Sequence, residues 1–175
     1  MYNRISIIGG PGTGKTTLSN ILAEKYNIPV THIDGIHHLK NWQVRNKSER
    51  DNIILDIIKN EKWIIDGTYH DTLTQRLEAS DLIIWLDYSS FSQVRGIVKR
   101  FIKNPGKEKK EIPGCKERIT SKFLKYVLKY NKNKRHYIPE ALENIKKDKL
   151  IIFTKQKDLN KWLEKQGINI KEKLD

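Results

Sequence analysis

Arg4-Ile5-Ser6-Ile7-Ile8-Gly9-Gly10-Pro11-Gly12-Thr13-Gly14-Lys15-Thr16-Thr17 decides the fold: an apolar run passes straight into G-x-x-x-x-G-K-[ST] with every fixed position filled. Glycines let successive backbone N–H groups converge on a polyphosphate, where a β-carbon would block the approach. Gly9, Gly10, Gly12, Thr13 and Gly14 therefore read as a phosphate cradle. Lys15 supplies an ammonium for the β- and γ-phosphates, Thr16 a hydroxyl for Mg²⁺, and Thr17 a reach to the α-phosphate. The helix that starts near Gly14 aims its positive end at the same anion. The expected ligands are ATP and Mg²⁺.

Working outward, short apolar runs recur at 4–8, 30–34, 62–66, 81–87 and 149–154, separated by helical patterns. Near-continuous apolar strands indicate a parallel sheet covered on both faces, and β/α alternation makes a three-layer α/β domain. Helices are expected behind the phosphate loop, from Ser48 as N-cap with Asp51 three residues on, and near 71–79, 90–103, 117–131, 135–147 and 157–166. Residues 104–115 lack apolar periodicity and are bracketed by Pro-Gly pairs, which predicts a mobile insertion and a lid over 101–118.

In an open parallel sheet, ligands bind beyond the carboxyl ends of the strands. Three strands are predicted to end in Asp. Asp66, before Gly67-Thr68-Tyr69, suits Mg²⁺ held through water; Asp34 suits the reception of an acceptor hydroxyl or phosphate, as a base or a second anchor for metal-bound water. Asp87, followed by Tyr88-Ser89-Ser90, reads as a cap for the next helix. Transfer of a phosphoryl group needs cations around spreading charge, and Arg100 and Arg118, with Arg95, flank the expected lid. Arg76 and Arg45 are candidates for gripping an acceptor's anionic group, the latter within an acceptor-binding segment at 35–61. His32, His37-His38, His70 and His136 lack metal-pair spacing.

The 175 residues suit one domain, 37% of them are hydrophobic, and the net charge is +13. Residues 95–135 hold 15 Lys or Arg against Glu108, Glu111 and Glu117. That field attracts polyphosphates, and nucleic acid equally. Within it Lys122, Lys125, Lys129 and Lys132 form the basic face of a helix whose other side carries Phe123, Leu124, Val127 and Leu128, with Tyr126 and Tyr130 alongside. One cysteine, Cys115, excludes an internal disulfide and suits a cytoplasmic protein. No apolar run approaches the roughly 18 residues of a membrane span, and the chain enters its first strand at once, so neither a signal peptide nor a membrane partner is expected. Oligomeric state is not legible.

The chain also resembles the adenylate-kinase-related proteins called DNA topology modulation proteins. The matching features are the loop Gly9 to Thr17, His32-Ile33-Asp34 with Trp42, and Trp63-Ile64-Ile65-Asp66-Gly67-Thr68-Tyr69 with Thr72-Leu73 and Arg76. Leu86-Asp87, Lys99-Arg100, Gly114-Cys115 with Glu117, and the last strand before Lys155 extend the likeness over nearly the whole chain. Gly96, Ser89-Ser90 and Thr68-Tyr69 depart from the pattern: an arginine is expected at 96, Pro-Arg at 89–90, and adenylate kinases carry Pro-Arg after Asp-Gly. The resemblance implies a P-loop NTPase of nucleoside-monophosphate-kinase-like fold, with five parallel strands in the order 2-3-1-4-5, ATP and Mg²⁺ binding, and an arginine-bearing lid. The function expected is transfer of the γ-phosphoryl group to a small-molecule acceptor, a nucleotide or nucleoside among the candidates. The alternatives are a nucleotide-dependent DNA-binding regulator that uses the basic 95–135 region, and an NTPase without acceptor.

Overall fold

A computed structural model of the chain describes residues 2–169. Five strands, β1 (Arg4–Gly9), β2 (Val30–His32), β3 (Trp63–Asp66), β4 (Leu82–Leu86) and β5 (Leu150–Phe153), form one sheet. The order is β2-β3-β1-β4-β5, as the resemblance implies, and every pairing is parallel, as the apolar runs predict. The registers Ile7↔Asp66 and Gly9↔Leu86 bring the carboxyl ends of the three middle strands to one edge.

Alternation of side chains sorts the core into two faces. Ile5, Ile7, Ile64, Leu82, Ile84 and Leu86 meet Leu18 and Leu22 of α1 (Lys15–Tyr26) and Leu159 and Leu163 of α8 (Gln156–Lys165). On the opposite face, Ile8, Ile83 and Trp85 meet Leu73 and Leu77 of α4 (Leu73–Ala79) and Ile138 of α7 (Tyr137–Leu142). Beside them, Trp63 and Ile65 meet Ile33 of α2 (Ile33–His37) and Ile54 of α3 (Lys47–Ile57). The remaining helices, α5 (Ser90–Lys103) and α6 (Ser121–Asn133), pack on each other beyond the carboxyl edge of the sheet and flank the connection 104–120. Among the described residues no helix is long and apolar enough to cross a membrane.

Several local expectations are corrected. β2 stops at His32, where its pairing with β3 runs out, so Asp34 lies in the first turn of α2 instead of at a strand end. Asn46, not Ser48, caps α3: its side chain accepts from the Ser48 and Glu49 N–H groups, while Asp51 takes the Arg50 guanidinium. Asp87 does not cap α5. Ser89, adjacent to the helix, accepts the Ser92 N–H, and both Asp87 oxygens bind Arg135 at 2.6 Å. The helix expected at 117–131 begins at Ser121, behind a Thr120 cap, because Glu117 is drawn back to Arg100. The helix expected at 135–147 contracts to Tyr137–Leu142, with Pro139 tolerated in its first turn.

Candidate phosphate-loop site

The loop leaves β1 at Gly9 and enters α1 at Gly14 without a side-chain cap and without an acid in the first turn. The first N–H groups of the helix therefore have no side-chain acceptor, which favours an anion there. Gly12 takes φ +73°, and a β-carbon on it would strike the Gln93 carbonyl of α5. Gly96, one turn along α5, has no room for a β-carbon either, because the Gly12 carbonyl occupies that space. The missing arginine at 96 thus has a local reason: the loop lies directly against α5.

The loop is braced from three sides. Thr68 Oγ1 accepts from the Gly9 N–H at 2.8 Å and lies 2.9 Å from the Gly9 carbonyl. Thr13 Oγ1 donates to the Gly10 carbonyl at 2.9 Å. Gln93 packs on Gly10 while its Nε2 bonds Tyr88 O and Asn131 Oδ1, joining loop, α5 and α6.

Lys15 Nζ donates to the Gly10 carbonyl at 2.8 Å. Burial pushes its pKa down, against the opposing pull of Asp34 and then Asp66, so these three groups share one cleft with Arg100 and Lys109. Asp66 is buried at 3% exposure. Its Oδ2 receives the Ser19 hydroxyl at 2.7 Å and lies 2.8 Å from His32 Nδ1, while Ser19 Oγ also lies 2.9 Å from the Thr16 carbonyl. Burial works against the imidazolium of His32, but the Asp66 bond and charge outweigh it and raise its pKa. Thr16 and Asp66 are thereby tied through one serine.

Asp34 is exposed to solvent. Its Oδ1 accepts the Tyr69 hydroxyl at 2.9 Å. Burial by surrounding protein opposes its charge, yet Lys15, Lys109 and the Tyr69 bond together hold its carboxyl below the usual range. Tyr69, raised well above its ordinary value by burial and then by Asp34, keeps its proton.

The arginines fall into two groups. Arg100 binds Glu117 at 2.9 Å and lies near enough to Lys15 to lower its pKa, Arg118 lies over the Trp42 ring at 5.0 Å and acts on His38, and Arg95 is exposed on α5. Arg45 donates through Nε to the Ile36 carbonyl at 2.8 Å and pairs with Glu49. Arg76, expected to grip an acceptor, is completely buried and donates to the Gly67 and Tyr69 carbonyls at 3.1 and 3.3 Å. It shapes the turn after β3 from below.

The 104–118 stretch is packed against the 39–42 turn. Asn41 N–H donates to the Gly114 carbonyl at 3.2 Å, Trp42 N–H to Cys115 Sγ at 3.1 Å, and Cys115 Sγ lies 3.3 Å from the Leu39 carbonyl. Cys115 and Ile112 are buried. Asn41 and Trp42 both hold left-handed backbone, at φ +61° and +63°.

Sequence reading missed Ser19, His32, Thr68, Tyr69, Gln93 and Lys109. A signal existed for two of these features: Ser19 interrupts the apolar stripe of Leu18, Ile21 and Leu22, and Thr68-Tyr69 follow the Asp66-Gly67 step. Partners 47 and 59 residues apart, as for Ser19–Asp66 and Gly9–Thr68, leave no trace in spacing.

For a magnesium ion, the Thr16 hydroxyl and the Asp66 carboxylate offer hard oxygen donors, and among the described residues no cluster of three His, Cys, Asp or Glu forms a protein-only cage. That sparse set fits Mg²⁺, which keeps several waters and binds through one or two protein oxygens plus phosphates.

Loop, sheet order and strand-end acid define an adenylate-kinase-related P-loop protein. A family profile described as an AAA domain matches residues 4–95, more than half of the chain, and the chain belongs to that family. It is 42% identical over 64 residues to uridylate kinase of Schizosaccharomyces pombe, covering 37% of this chain and 33% of that protein. It is 33% identical over 104 residues to adenylate kinase of Buchnera aphidicola, covering 48% of each. Adenylate kinase of Wigglesworthia glossinidia brevipalpis is 30% identical over 116 residues, covering 57% and 55%. The chain thus spans about half or less of the first two relatives' lengths. A crystal structure of shikimate kinase from Bacteroides thetaiotaomicron shares the fold at TM-score 0.58 and 13% identity, over 96% of this chain and 100% of that one.

Proposed function

We propose that the protein is an ATP-dependent phosphotransferase that moves the γ-phosphoryl group to a small acceptor. The observation that carries the reading is Lys15 turned onto the loop carbonyl of Gly10, in one cleft with Asp34 and Asp66 and beside an uncapped helix start. Loop amides and Lys15 hold the β- and γ-phosphates, and Thr17 reaches the α-phosphate. Thr16 and Asp66, fixed by Ser19 and His32, hold Mg²⁺, which when bound neutralises charge on the phosphates. Arg100 and Arg118 flank a lid at 101–118 and approach the transferring group as it closes. Asp34 receives the acceptor, whose remaining surface lies against the 35–61 segment with Arg45, while Arg76 acts from beneath the turn. The whole chain acts as a single domain in this scheme, and the lone thiol Cys115 suits a cytoplasmic setting.

Phosphoryl transfer rests on positioning and charge stabilisation, so loss of one such group typically costs about 10²- to 10³-fold in rate. Lys15→Ala is expected to lower ATP turnover by at least about 10²-fold with an unchanged circular dichroism spectrum; undiminished turnover in the folded variant overturns the scheme.

A second reading, the nucleotide-dependent DNA-binding regulator of the topology modulation type, is supported by α6. Lys122, Lys125 and Lys129, with Tyr126, line a depression of about 230 Å³ along that helix. Duplex binding that neutralises Z phosphates gives a slope near −0.9Z in log affinity against log salt. Tight binding of DNA at physiological salt, with ADP release indifferent to any small acceptor, favours the regulator.

A further inference from the structure

A lid that supplies a cation to phosphoryl transfer must hold it on a fixed backbone and leave its charge unclaimed, because positive groups help where negative charge spreads in the transition state. The 104–118 stretch meets the first requirement at Lys109. Glu108 bridges Lys116 in antiparallel fashion, the Lys109 N–H donates to the Cys115 carbonyl at 2.9 Å, and the Glu117 N–H donates to the Lys107 carbonyl at 2.8 Å.

This short hairpin is seated beside Asp34. A β-carbon on Gly35 would stand 2.3 Å from the Glu111 carbonyl, so the lid backbone lies directly on the glycine that follows Asp34. Further along, the Asn41 and Trp42 N–H groups donate to Gly114 and Cys115, and both residues hold left-handed backbone. That conformation is unfavourable for an aromatic residue and persists only where the surroundings over-determine it, most often at functional positions. The strained turn sets the Trp42 ring against the lid: Lys109 Nζ lies 5.7 Å from its centroid and the Arg118 guanidinium carbon 5.0 Å. The same ring begins a run of contacts that ends at Asp34, from Trp42 to His38 at 5.2 Å, His38 to His37 at 4.6 Å and His37 to Tyr69 at 5.0 Å, then from the Tyr69 hydroxyl to Asp34 Oδ1 at 2.9 Å.

The cations at the lid differ in what already claims them. Arg100 is held by the buried Glu117 at 2.9 Å, and Arg118 is exposed and acts on His38. Lys109 is partly buried, and among the described residues no acid forms an ion pair with it; the adjacent Glu108 is taken by the Gly114 N–H at 2.6 Å. Its charge reaches the cleft, where it opposes the ammonium of Lys15 and favours the carboxylate of Asp34. An aromatic face attracts such a cation without neutralising it.

From the lid docked on Gly35, the strained Trp42 turn and the unclaimed ammonium over its ring, we infer that Lys109 is a catalytic residue that meets the oxygens of the transferring phosphoryl group, and that Trp42 is the positioning residue that seats it. The inference rests on the kinase reading above. Lys109 contributes charge and hydrogen bonds only, and no proton leaves it. The cation belongs to the lid and its seat to the acceptor-binding segment, so the site is complete only when those two stretches lie together.

The test follows ADP formation by the full chain with Mg-ATP and a panel of nucleosides and nucleoside monophosphates, and measures binding of a non-hydrolysable ATP analogue with Mg²⁺ by calorimetry. Each variant is checked for folding by thermal melting, with Lys109→Gln standing in should Lys109→Ala fail to fold. Lys109→Ala is expected to lose about 10²- to 10³-fold in kcat, while KM for ATP and the affinity for the analogue stay within about threefold of wild type. Lys109→Arg should recover part of the loss. Trp42→Leu should lower kcat and Trp42→Phe, which keeps a ring face, should restore much of it. Trp42→Leu combined with Lys109→Ala should lose little more than Lys109→Ala alone, because the two residues act as one unit. Lys110→Ala, exposed and one position along, should match wild type. A Lys109→Ala kcat within about threefold of wild type, an equal loss in Lys110→Ala, a Trp42→Leu protein at wild-type kcat, or additive losses in the double variant overturns the inference, and the kinase reading survives if Lys15→Ala still abolishes turnover. If wild type forms no ADP with any member of the panel, the kinase reading itself fails and takes this inference with it.

Discussion

Gly96 shows how a single absent side chain is decided by a neighbour 84 positions earlier in the chain, since the Gly12 carbonyl fills the place of its β-carbon. Gly96→Ala must push α5 and the phosphate loop apart. Overpacking of this kind costs about 1–3 kcal/mol, so the variant is expected to melt at lower temperature and, because the displaced element is the loop, to bind ATP more weakly in calorimetry. A melting point and affinity equal to wild type would show that the helix shifts freely. At this scale the sequence tells much about the loop, because G-x-x-x-x-G-K-[ST] is local chemistry. It tells little about Asp66, whose partners Ser19 and His32 come from other elements, or about Arg76, whose burial depends on the tertiary path of the turn above it.

Helix starts expose the limits of local pattern reading. Ser48 with Asp51 has the look of a cap, yet Asn46 occupies the cap position and already satisfies two N–H groups, leaving Ser48 inside the first turn. Replacing an N-cap Asn with Ala typically costs ~1 kcal/mol. Asn46→Ala should therefore lower the urea midpoint visibly, whereas Ser48→Ala should change it little; the reverse order would mean that the helix starts later in solution. α5 is legible to the residue, Ser90–Lys103, because its amphipathic pattern is strong. α6 and α7 are not, since Glu117 is recruited by Arg100 and Pro139 sits in a helix only six residues long.

Across the whole molecule, the five parallel strands follow from apolar runs and β/α alternation and their order from the family resemblance, while the electrostatics appear only after folding. Asp34, Asp71 and Asp81 are all held below the usual carboxylate pKa. Burial is the largest single cause at Asp34 and Asp81 and opposes their charge, but Lys15, Lys109 and the Tyr69 bond together outweigh it at the first, and the bonds from Arg4 and Asn3 together at the second; at Asp71 the Lys47 bond is the largest cause. A folded pKa below the unfolded value near 3.9 stabilises the native state above that pH, and the contribution is lost as pH falls through the lowered folded values. Stability should therefore be flat in this respect near neutrality and fall steeply only in acid. Asp81→Asn, which removes the contacts to Asn3 and Arg4, is expected to make the urea midpoint less dependent on pH between about 5 and 3; an unaltered acid limb would assign it to other groups.

The seam between Gly114-Cys115 and Leu39–Trp42 gives the protein a natural sensor. Its single sulfhydryl is sealed between two stretches of chain more than seventy residues apart in sequence. Any reagent, oxidant or metal must wait for those two stretches to part before it meets that sulfur, so the accessibility of one atom records how often this seam opens.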